Sequence, residues 1–437
     1  MGCCHYFAPT DGGSAAFTVE MPRYTFGRGT MREIGARLRM RGLTRVALVT
    51  DAYLAGTAPM ETVRASMRAA GVEFAEYAEV RIEPNDSGVL DCARFVAEGR
   101  FDGVLAVGGG SVIDTAKGAL VYATHPAPAT DYFAPPAGAG RAVPGPLRPI
   151  VACPTTAGTG SEATGLSVIR IGSLDTKFVI ASRHILPVEA VVDPTWMDTL
   201  PRTVVASSGF DLLSHAIETY TARAYTRWPA VEDPAARPMI QGANPWSDLH
   251  AREALRIVGA MLERGVADAA DHEARDALIW AASLAGMAFG NCGTHLPHAF
   301  SYGVTHLLRE FRIPADYPAG DGPFVPHGIS VIVNSPSVFR FTARGAPERH
   351  LEAAACLGVT ARDATPDDAG EVVAGRIVEL MRATGMPNGL GALGFTAADA
   401  PALADSALRQ RRAIGNAPRD TARDDAIAIF EGAVSYW

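Results

Sequence analysis

The first 200 residues alternate between short apolar runs and amphipathic stretches. The apolar runs predict strands, and the stretches between them, with apolar residues at helical spacing, predict helices. The predicted strands are 44–50, 72–80, 102–107, 149–153 and 188–193, and the predicted helices are 58–70, 87–98 and 112–123. Strands and helices that take turns along a chain are typical of a parallel, doubly wound α/β sheet.

The pattern changes near residue 200. Beyond it, apolar residues recur at helical spacing, as in Phe210, Leu213, Ile217 and Tyr220, and strand-like runs become rare. The predicted helices are 203–222, 246–265, 271–290, 296–309, 328–342, 347–357, 368–384 and 422–435. The change predicts two domains, an α/β domain over residues 1–200 and an all-helical domain over residues 201–437.

Composition narrows the class of protein. Of the 437 residues, 48% are hydrophobic and 20% are charged, which is enough apolar surface for a core and excludes a disordered chain. The net charge is -8 and the basic residues are scattered, so nucleic acid is an unexpected partner. No Asp, Glu, Lys or Arg lies in 277–308, but the apolar part of this stretch is too short to span a membrane.

The six cysteines form no CxxC pair and no disulfide framework, and the first residues show no secretory signal. These features favour a reducing compartment, and we expect a cytoplasmic protein.

Two loops predict a phosphate-binding site in the first half. Gly108-Gly109-Gly110-Ser111 follows a buried strand and opens a helix, where backbone N–H groups and the helix dipole favour a phosphate. By itself this motif is equally consistent with a plain strand-to-helix turn. Residues 154–164 (PTTAGTGSEAT) follow another buried strand with five hydroxyl side chains, and two such loops favour a dinucleotide. Asp51, at the end of the first strand, is either a ribose ligand or a helix cap.

Histidines cluster in the second half. His295, His298, His306 and His327 fall within 33 residues. Upstream, Asp211 and His215 are four residues apart in a predicted helix, which places both on one face. One carboxylate with several imidazoles suits a divalent ion such as Fe2+ or Zn2+, although any single histidine is more often a satisfied core or surface residue.

Four motifs carry a resemblance. They are GGGSVIDTAK (108–117), PTTAGTGSEAT (154–164), GFDLLSHAIETY (209–220) and VPHG (325–328). In order and spacing they resemble the iron-containing (group III) alcohol dehydrogenase family. The resemblance implies an N-terminal dinucleotide-binding domain, a helical metal- and substrate-binding domain, and a metal held by Asp211, His215, His298 and His327.

Several further segments resemble one branch of this family, the hydroxyacid-oxoacid transhydrogenases. They are 4–13, 237–248, 290–302 and 325–343. Most family members carry a further histidine at the position of Tyr302, so a histidine proton relay is not implied here. The branch implies a bound nicotinamide, NAD(H), and hydride transfer from 4-hydroxybutyrate or a similar hydroxy acid to 2-oxoglutarate. The products are succinate semialdehyde and 2-hydroxyglutarate.

These implications complete the candidate site. The catalytic candidates are His295, as proton acceptor or substrate hydrogen-bond donor, and Tyr302. The cofactor-binding candidates are Asp51, Asn85, Gly109, Gly110, Ser111, Asp114, Thr155, Thr156, Thr159, Ser161 and Lys177. The candidate cations for an acidic substrate are Arg237, Arg309 and Arg312, although surface positions are the more ordinary interpretation of each.

We expect small-molecule hydroxy and oxo acids as partners, and the resemblance suggests a homodimer or larger homo-oligomer. Three alternatives stay open from the residues. They are an ordinary NAD-dependent dehydrogenase with exchangeable cofactor, a non-redox enzyme of the dehydroquinate synthase type, and an inactive metal-binding scaffold.

Overall fold

The computed structural model describes residue 6 and residues 8–135, 137–174, 176–318 and 324–437. Residues 4, 5 and 7 of the 4–13 segment quoted above therefore lie outside the described residues. The chain divides into two compact units. One is Glu20–Leu200, and the other joins the described residues up to Val19 to Pro201–Trp437.

A six-stranded parallel sheet forms the centre of the Glu20–Leu200 unit. Its strands, in chain order, are β1 (Arg23–Phe26), β2 (Arg45–Asp51), β3 (Glu73–Val80), β4 (Gly103–Gly108), β5 (Ile150–Pro154) and β8 (Glu189–Val192). A separate antiparallel hairpin consists of β6 (Leu166–Ile171) and β7 (Thr176–Ala181). The helices are α1 (Ile34–Met40), α2 (Ala52–Ala55), α3 (Ala58–Ala69), α4 (Asp86–Glu98) and α5 (Gly110–Thr124).

Helices cover both faces of the sheet. Val46 and Leu48 of β2 pack in a core with residues of α1 and α3, whereas Ala47 and Val49 pack in a second core with residues of α4 and α5. The alternation follows from the two-residue period of a strand, and burial on both faces explains the continuous apolar runs in the sequence. The predicted α/β fold class is confirmed.

The strand order is β1-β8-β5-β4-β2-β3. From β2 the chain moves to β3 at one edge and then crosses back to β4 on the other side of β2. Such a reversal is a topological switch point, where open α/β sheets bind ligands beyond the carboxyl ends of their strands. Asp51 ends β2 and Gly108 ends β4, so the predicted phosphate-binding turn lies at this position.

Neither β1 nor the β6–β7 hairpin is among the predicted strands. β1 has four residues and is paired only with β8, and its burial pattern shows no fully buried position. The hairpin is half-buried, with Ser167, Ile169 and Ile171 inward on β6. Both elements lack the long buried run that identified the other strands.

The second unit is helical. Its helices are α6 (Arg202–Thr221), α7 (Pro245–Ala267), α8 (His272–Cys292), α9 (Leu296–Leu307), α10 (His327–Ile332), α11 (Ser335–Thr342), α12 (Pro347–Cys356), α13 (Ala369–Thr384), α14 (Ala400–Ala407), α15 (Arg411–Gly415) and α16 (Arg423–Gly432). The single predicted helix 328–342 is two helices, because Pro336 begins a new first turn after Asn334. The short helices α14 and α15 are not among the predicted elements. No helix among the described residues is long and apolar enough to cross a membrane.

Candidate functional site

Helix α6 carries three ionisable side chains on one face. Asp211, His215 and Glu218 are spaced by four and three residues, so they lie one above another along the helix. All three are buried. Because a buried polar group without a partner costs free energy, a helix that buries three of them must bring them to partners.

Those partners come from α9 and α10. His298 Nε2 lies 3.3 Å from Asp211 Oδ1, and His327 Nε2 and His215 Nδ1 each lie 3.7 Å from that oxygen. Asp211, His298 and His327 offer donor atoms that are all within 4.8 Å of one another. The ring of His215 stacks on that of His298 with centroids 4.3 Å apart, and on Phe289 on its other side. The structure therefore brings three of the four predicted metal ligands, Asp211, His298 and His327, within reach of one ion, and it places His215 beside Asp211.

The donor atoms of Asp211, His298 and His327 fit one divalent ion. Ligands at about 2.1 Å in a tetrahedron lie about 3.4 Å apart, close to the separations measured from Asp211 Oδ1. A carboxylate oxygen together with imidazole nitrogens suits Fe2+ and Zn2+ equally. Burial would raise the pKa of Asp211, but the nearby His215 and His327 hold it well below its usual range.

Glu218 is the residue that the sequence interpretation missed. Its side chain is fully buried, and Oε1 lies 2.5 Å from His298 Nδ1. Oε2 accepts the backbone N–H of His295 at 2.7 Å. The contact between Glu218 Oε1 and His298 Nδ1 fixes the orientation of the His298 ring and presents its Nε2 toward Asp211. Its spacing from Asp211 and His215 on the same helix was the signal that could have found it.

Two buried carboxylates, those of Asp211 and Glu218, favour a positive charge at His298. Burial lowers the pKa of His298, but the charge of Glu218 and the hydrogen bonds with Asp211 and Glu218 outweigh it and raise this pKa to about 10. The pocket thus stabilises a cation at this point, and a divalent ion satisfies the same electrostatic demand.

His295 does not join the cluster. Its Nδ1 accepts the backbone N–H of Leu296 at 2.7 Å, so Nε2 carries the proton and donates to Thr221 Oγ1 at 3.0 Å. Thr221 in turn donates to the Ile217 carbonyl. Burial holds the pKa of His295 well below its usual range. Both ring nitrogens are thus engaged at the start of α9, and the prediction of a proton-accepting His295 receives no support from this geometry.

Tyr302 lies one turn after His298 on α9 and is almost entirely buried. The spacing places it on the same face as His298. Its role stays a prediction.

The two glycine- and hydroxyl-rich loops meet in the sheet unit. The Thr155 N–H donates to the Gly108 carbonyl at 3.2 Å. A Cβ on Gly110 would lie 2.5 Å from Thr159, and one on Gly109 would contact Thr156 at 3.4 Å. Glycine at position 110 is therefore required for the loops to pack, and Gly109 leads directly into the free N–H groups of α5.

Asp114 and Ser161 hold these loops together. Ser161 Oγ donates to Asp114 Oδ1 at 2.5 Å, and Asp114 Oδ2 accepts the Val168 N–H at 2.9 Å. Burial raises the pKa of Asp114. Lys117, fully buried, donates to Ser161 Oγ at 2.9 Å and to the Leu166 carbonyl at 2.9 Å. The structure gives Asp114 and Ser161 these internal partners, which fix the shape of the two loops.

The remaining cofactor candidates have mixed surroundings. Asp51 and Asn85 cap α2 and α4, accepting the N–H groups of Leu54 and Gly88. Ser111 Oγ accepts the Glu83 N–H at 3.3 Å. Lys177 on β7 pairs with Glu83 at 2.5 Å. For Asp51 the structure thus supplies the helix-cap contact, one of the two interpretations that the sequence left open.

Two of the three arginine candidates, Arg309 and Arg237, have partners in the helical unit. Arg309 is paired with Asp399 at 3.1 Å, and Arg237 donates to Thr18 Oγ1 at 2.9 Å.

Comparison with known proteins identifies the class. The iron-containing alcohol dehydrogenase family matches residues 22–194, and the C-terminal part of the Fe-containing alcohol dehydrogenase family matches residues 239–434. The chain therefore belongs to the iron-containing alcohol dehydrogenase family, a family of oxidoreductases that act on alcohol groups.

Individual proteins narrow this further. A protein from Xenopus laevis named "Hydroxyacid-oxoacid transhydrogenase, mitochondrial" is 42% identical over 97% of this chain and 91% of its own. The solved structure of a 1,3-propanediol oxidoreductase superposes with a TM-score of 0.82 at 30% identity, over 96% of this chain and 100% of its own. A sulfoacetaldehyde reductase from Bifidobacterium kashiwanohense, solved with NAD+, superposes with a TM-score of 0.79 at 26% identity, over 96% and 99%.

The expected cytoplasmic location is wrong. The relatives named as transhydrogenases are mitochondrial by name, which points to the mitochondrion. The expectation rested on cysteines that form no disulfide framework. Cys92, Cys153 and Cys292 are indeed free and buried, but free thiols distinguish reducing from oxidising compartments and do not separate one reducing compartment from another.

Proposed function

We propose that this protein is a hydroxyacid-oxoacid transhydrogenase. It transfers a hydride from 4-hydroxybutyrate, or a similar hydroxy acid, through a bound nicotinamide to 2-oxoglutarate. The products are succinate semialdehyde and 2-hydroxyglutarate. The observation that carries the proposal is the similarity over nearly the full chain to relatives of that name. The cluster of Asp211, His298 and His327, with His215 beside Asp211, supports it.

We propose NAD(H) as the nicotinamide. The α5 N-terminus, the close approach of Gly109 and Gly110 to the hydroxyl-rich loop, and the switch point of the sheet form a suitable phosphate-binding surface. The reductase solved with NAD+ supports the same cofactor. Asp51 at the end of β2 favours NAD over NADP, because a carboxylate there repels a ribose phosphate.

We propose that Asp211, His215, His298 and His327 hold one divalent ion, Fe2+ or Zn2+. When bound, such an ion withdraws electron density from a substrate hydroxyl or oxo oxygen and favours hydride transfer in either direction. The protein positions the ligands. Glu218 orients His298, and the Thr221 contact of His295 fixes the start of α9.

The experiment separates this function from that of an ordinary dehydrogenase. The purified protein is mixed with 4-hydroxybutyrate and NAD, with and without 2-oxoglutarate, and NADH absorbance is followed. The proposal predicts product formation only with 2-oxoglutarate and no accumulation of NADH. Steady NADH release without 2-oxoglutarate would instead identify an NAD-dependent dehydrogenase with exchangeable cofactor.

A further inference from the structure

Glu83 has a strained backbone conformation in the connection between β3 and α4. Its φ is 60°, in the left-handed region that residues other than glycine rarely adopt, and the following Pro84 restricts it further. Because β3 ends at Val80 and runs parallel to its neighbours, Glu83 lies beyond the same sheet edge as Asp51 and Gly108. Strain of this kind costs free energy, and its presence at the ligand-binding edge of a sheet points to a role in the site.

Arg100, the other described non-glycine residue with positive φ, shows the ordinary case. Its φ is 50°, and it follows Gly99, the residue that caps the end of α4. A left-handed residue directly after a helix is a common way to end the helix. No helix ends at Glu83. The reason for the conformation of Glu83 therefore lies in the contacts that its backbone and side chain make.

Those contacts join the N-terminus of α5 to the β6–β7 hairpin. The Glu83 N–H donates to Ser111 Oγ at 3.3 Å, and the Glu83 carboxylate pairs with Lys177 Nζ at 2.5 Å. The Pro84 carbonyl accepts the N–H of Arg170 on β6 at 2.8 Å. The side chains of Glu83 and Lys177 are only 15% and 9% exposed. Solvent therefore screens this ion pair less than it screens a pair on the surface.

The same contacts place two hydrogen-bond donors at the start of α5. Because Ser111 Oγ accepts the N–H of Glu83, the hydroxyl proton of Ser111 remains to donate elsewhere. Burial raises the pKa of Asp114, and the charges of Lys117 and Lys177 oppose that rise, so Lys177 lies within electrostatic reach of the first turns of α5. The carboxylate of Glu83 confines an ammonium group that otherwise moves on a flexible four-carbon stem.

We propose that Glu83 is a positioning residue for the nicotinamide cofactor. Its N–H orients the Ser111 hydroxyl and its carboxylate holds the Lys177 ammonium, so that both donate to ribose or phosphate oxygens of a dinucleotide at the N-terminus of α5. Donors that are fixed in advance lose little conformational entropy on binding and therefore slow the release of the ligand. This inference rests on the proposed transhydrogenase function, in which the nicotinamide stays bound between the two half-reactions.

The test is the rate at which NADH leaves the protein. NADH bound to the purified protein is mixed with excess ADP-ribose, which prevents rebinding, and the fluorescence of bound NADH is followed by stopped flow. Glu83→Gln keeps the size of the side chain and removes its charge. We expect it to release NADH about 10-fold faster, the effect of losing one charge-assisted hydrogen bond. Glu79→Gln is the matched control, because Glu79 is exposed on β3, and it should behave as the wild type.

A double-mutant cycle shows whether Glu83 acts through Lys177. Lys177→Met and the double variant Glu83→Gln/Lys177→Met are measured in the same assay. If Glu83 acts by holding the lysine, the double variant releases NADH no faster than Lys177→Met alone. Effects of the two substitutions that multiply independently would overturn the positioning role. Glu83→Gly adopts the left-handed conformation without strain and also removes the carboxylate, so it repeats the test if Glu83→Gln is unstable.

The release rate needs no turnover, so the inference and the proposed function can fail separately. If the wild type accumulates NADH from 4-hydroxybutyrate alone, the proposed function falls, and a 10-fold faster release from Glu83→Gln still supports the positioning role. If Glu83→Gln, with the thermal midpoint of the wild type, releases NADH at the wild-type rate, the inference is overturned whether or not the wild type transfers hydride.

Discussion

Replacing Glu218 with glutamine tests how one buried carboxylate holds the metal ligands. In the native chain Oε1 faces His298 Nδ1 at 2.5 Å and Oε2 accepts the His295 N–H at 2.7 Å. Glutamine has the same shape but only one acceptor oxygen. Whichever way its amide turns, its NH2 group faces an N–H at one of the two positions. The variant therefore loses one charge-assisted hydrogen bond and leaves a buried donor unpaired, at a cost of about 1.5 to 3 kcal/mol.

The assay is metal retention. Purified Glu218→Gln and wild-type protein are dialysed against graded concentrations of a chelator, and bound metal is measured by mass spectrometry. Loss of a contact that orients a histidine ligand typically lowers metal affinity about 10- to 100-fold. Glu253→Gln is the control, because Glu253 is exposed on α7 and its ion pair with Arg256 contributes little. Equal retention by Glu218→Gln and the wild type would refute the orienting role of Glu218.

Three further predictions address the sheet unit and the assembly. Burial lowers the pKa of Lys117 from 10.5 to about 8 on folding. Between these pH values the unfolded chain binds more protons, so the free energy of unfolding rises with pH. Urea denaturation of the wild type and of Lys117→Met should show this rise only in the wild type. Gly110→Ala places a Cβ 2.5 Å from Thr159 and should weaken NADH binding about 10-fold in a fluorescence titration, the effect of 1–3 kcal/mol of overpacking. Gly145→Ala is its control, since nothing lies within 4 Å of that position, and equal losses would contradict the packing argument. Light scattering should give a homodimer or larger species, and a monomer would contradict the expectation from the family.

Much of the fold was accessible from sequence because buried parallel strands have long apolar runs. The predicted and observed elements differ only at particular places along the chain. Pro336 divides a helix that periodicity alone makes continuous, and α15 is too short and polar to produce a helical pattern. The Asp211–His215 spacing predicts a shared helix face directly, whereas the assignment of His298 and His327 as ligands depended on family resemblance.

The rest of the site could not be predicted, because its contacts join residues that are distant in sequence. Nothing in the local sequence shows that Glu218 lies against His298, 80 residues away. Likewise, Asp114 and Ser161 are polar residues in phosphate-binding motifs, yet in the folded chain they bind each other.

The most direct test of the proposed function follows one hydride. 4-Hydroxybutyrate deuterated at its hydroxyl-bearing carbon is incubated with 2-oxoglutarate and the purified protein, with no nicotinamide added, and the 2-hydroxyglutarate is examined by mass spectrometry. The account predicts deuterium at the new hydroxyl-bearing carbon and one succinate semialdehyde for each 2-hydroxyglutarate. Unlabelled 2-hydroxyglutarate, or product that forms only when NAD is supplied in stoichiometric amounts, would contradict it.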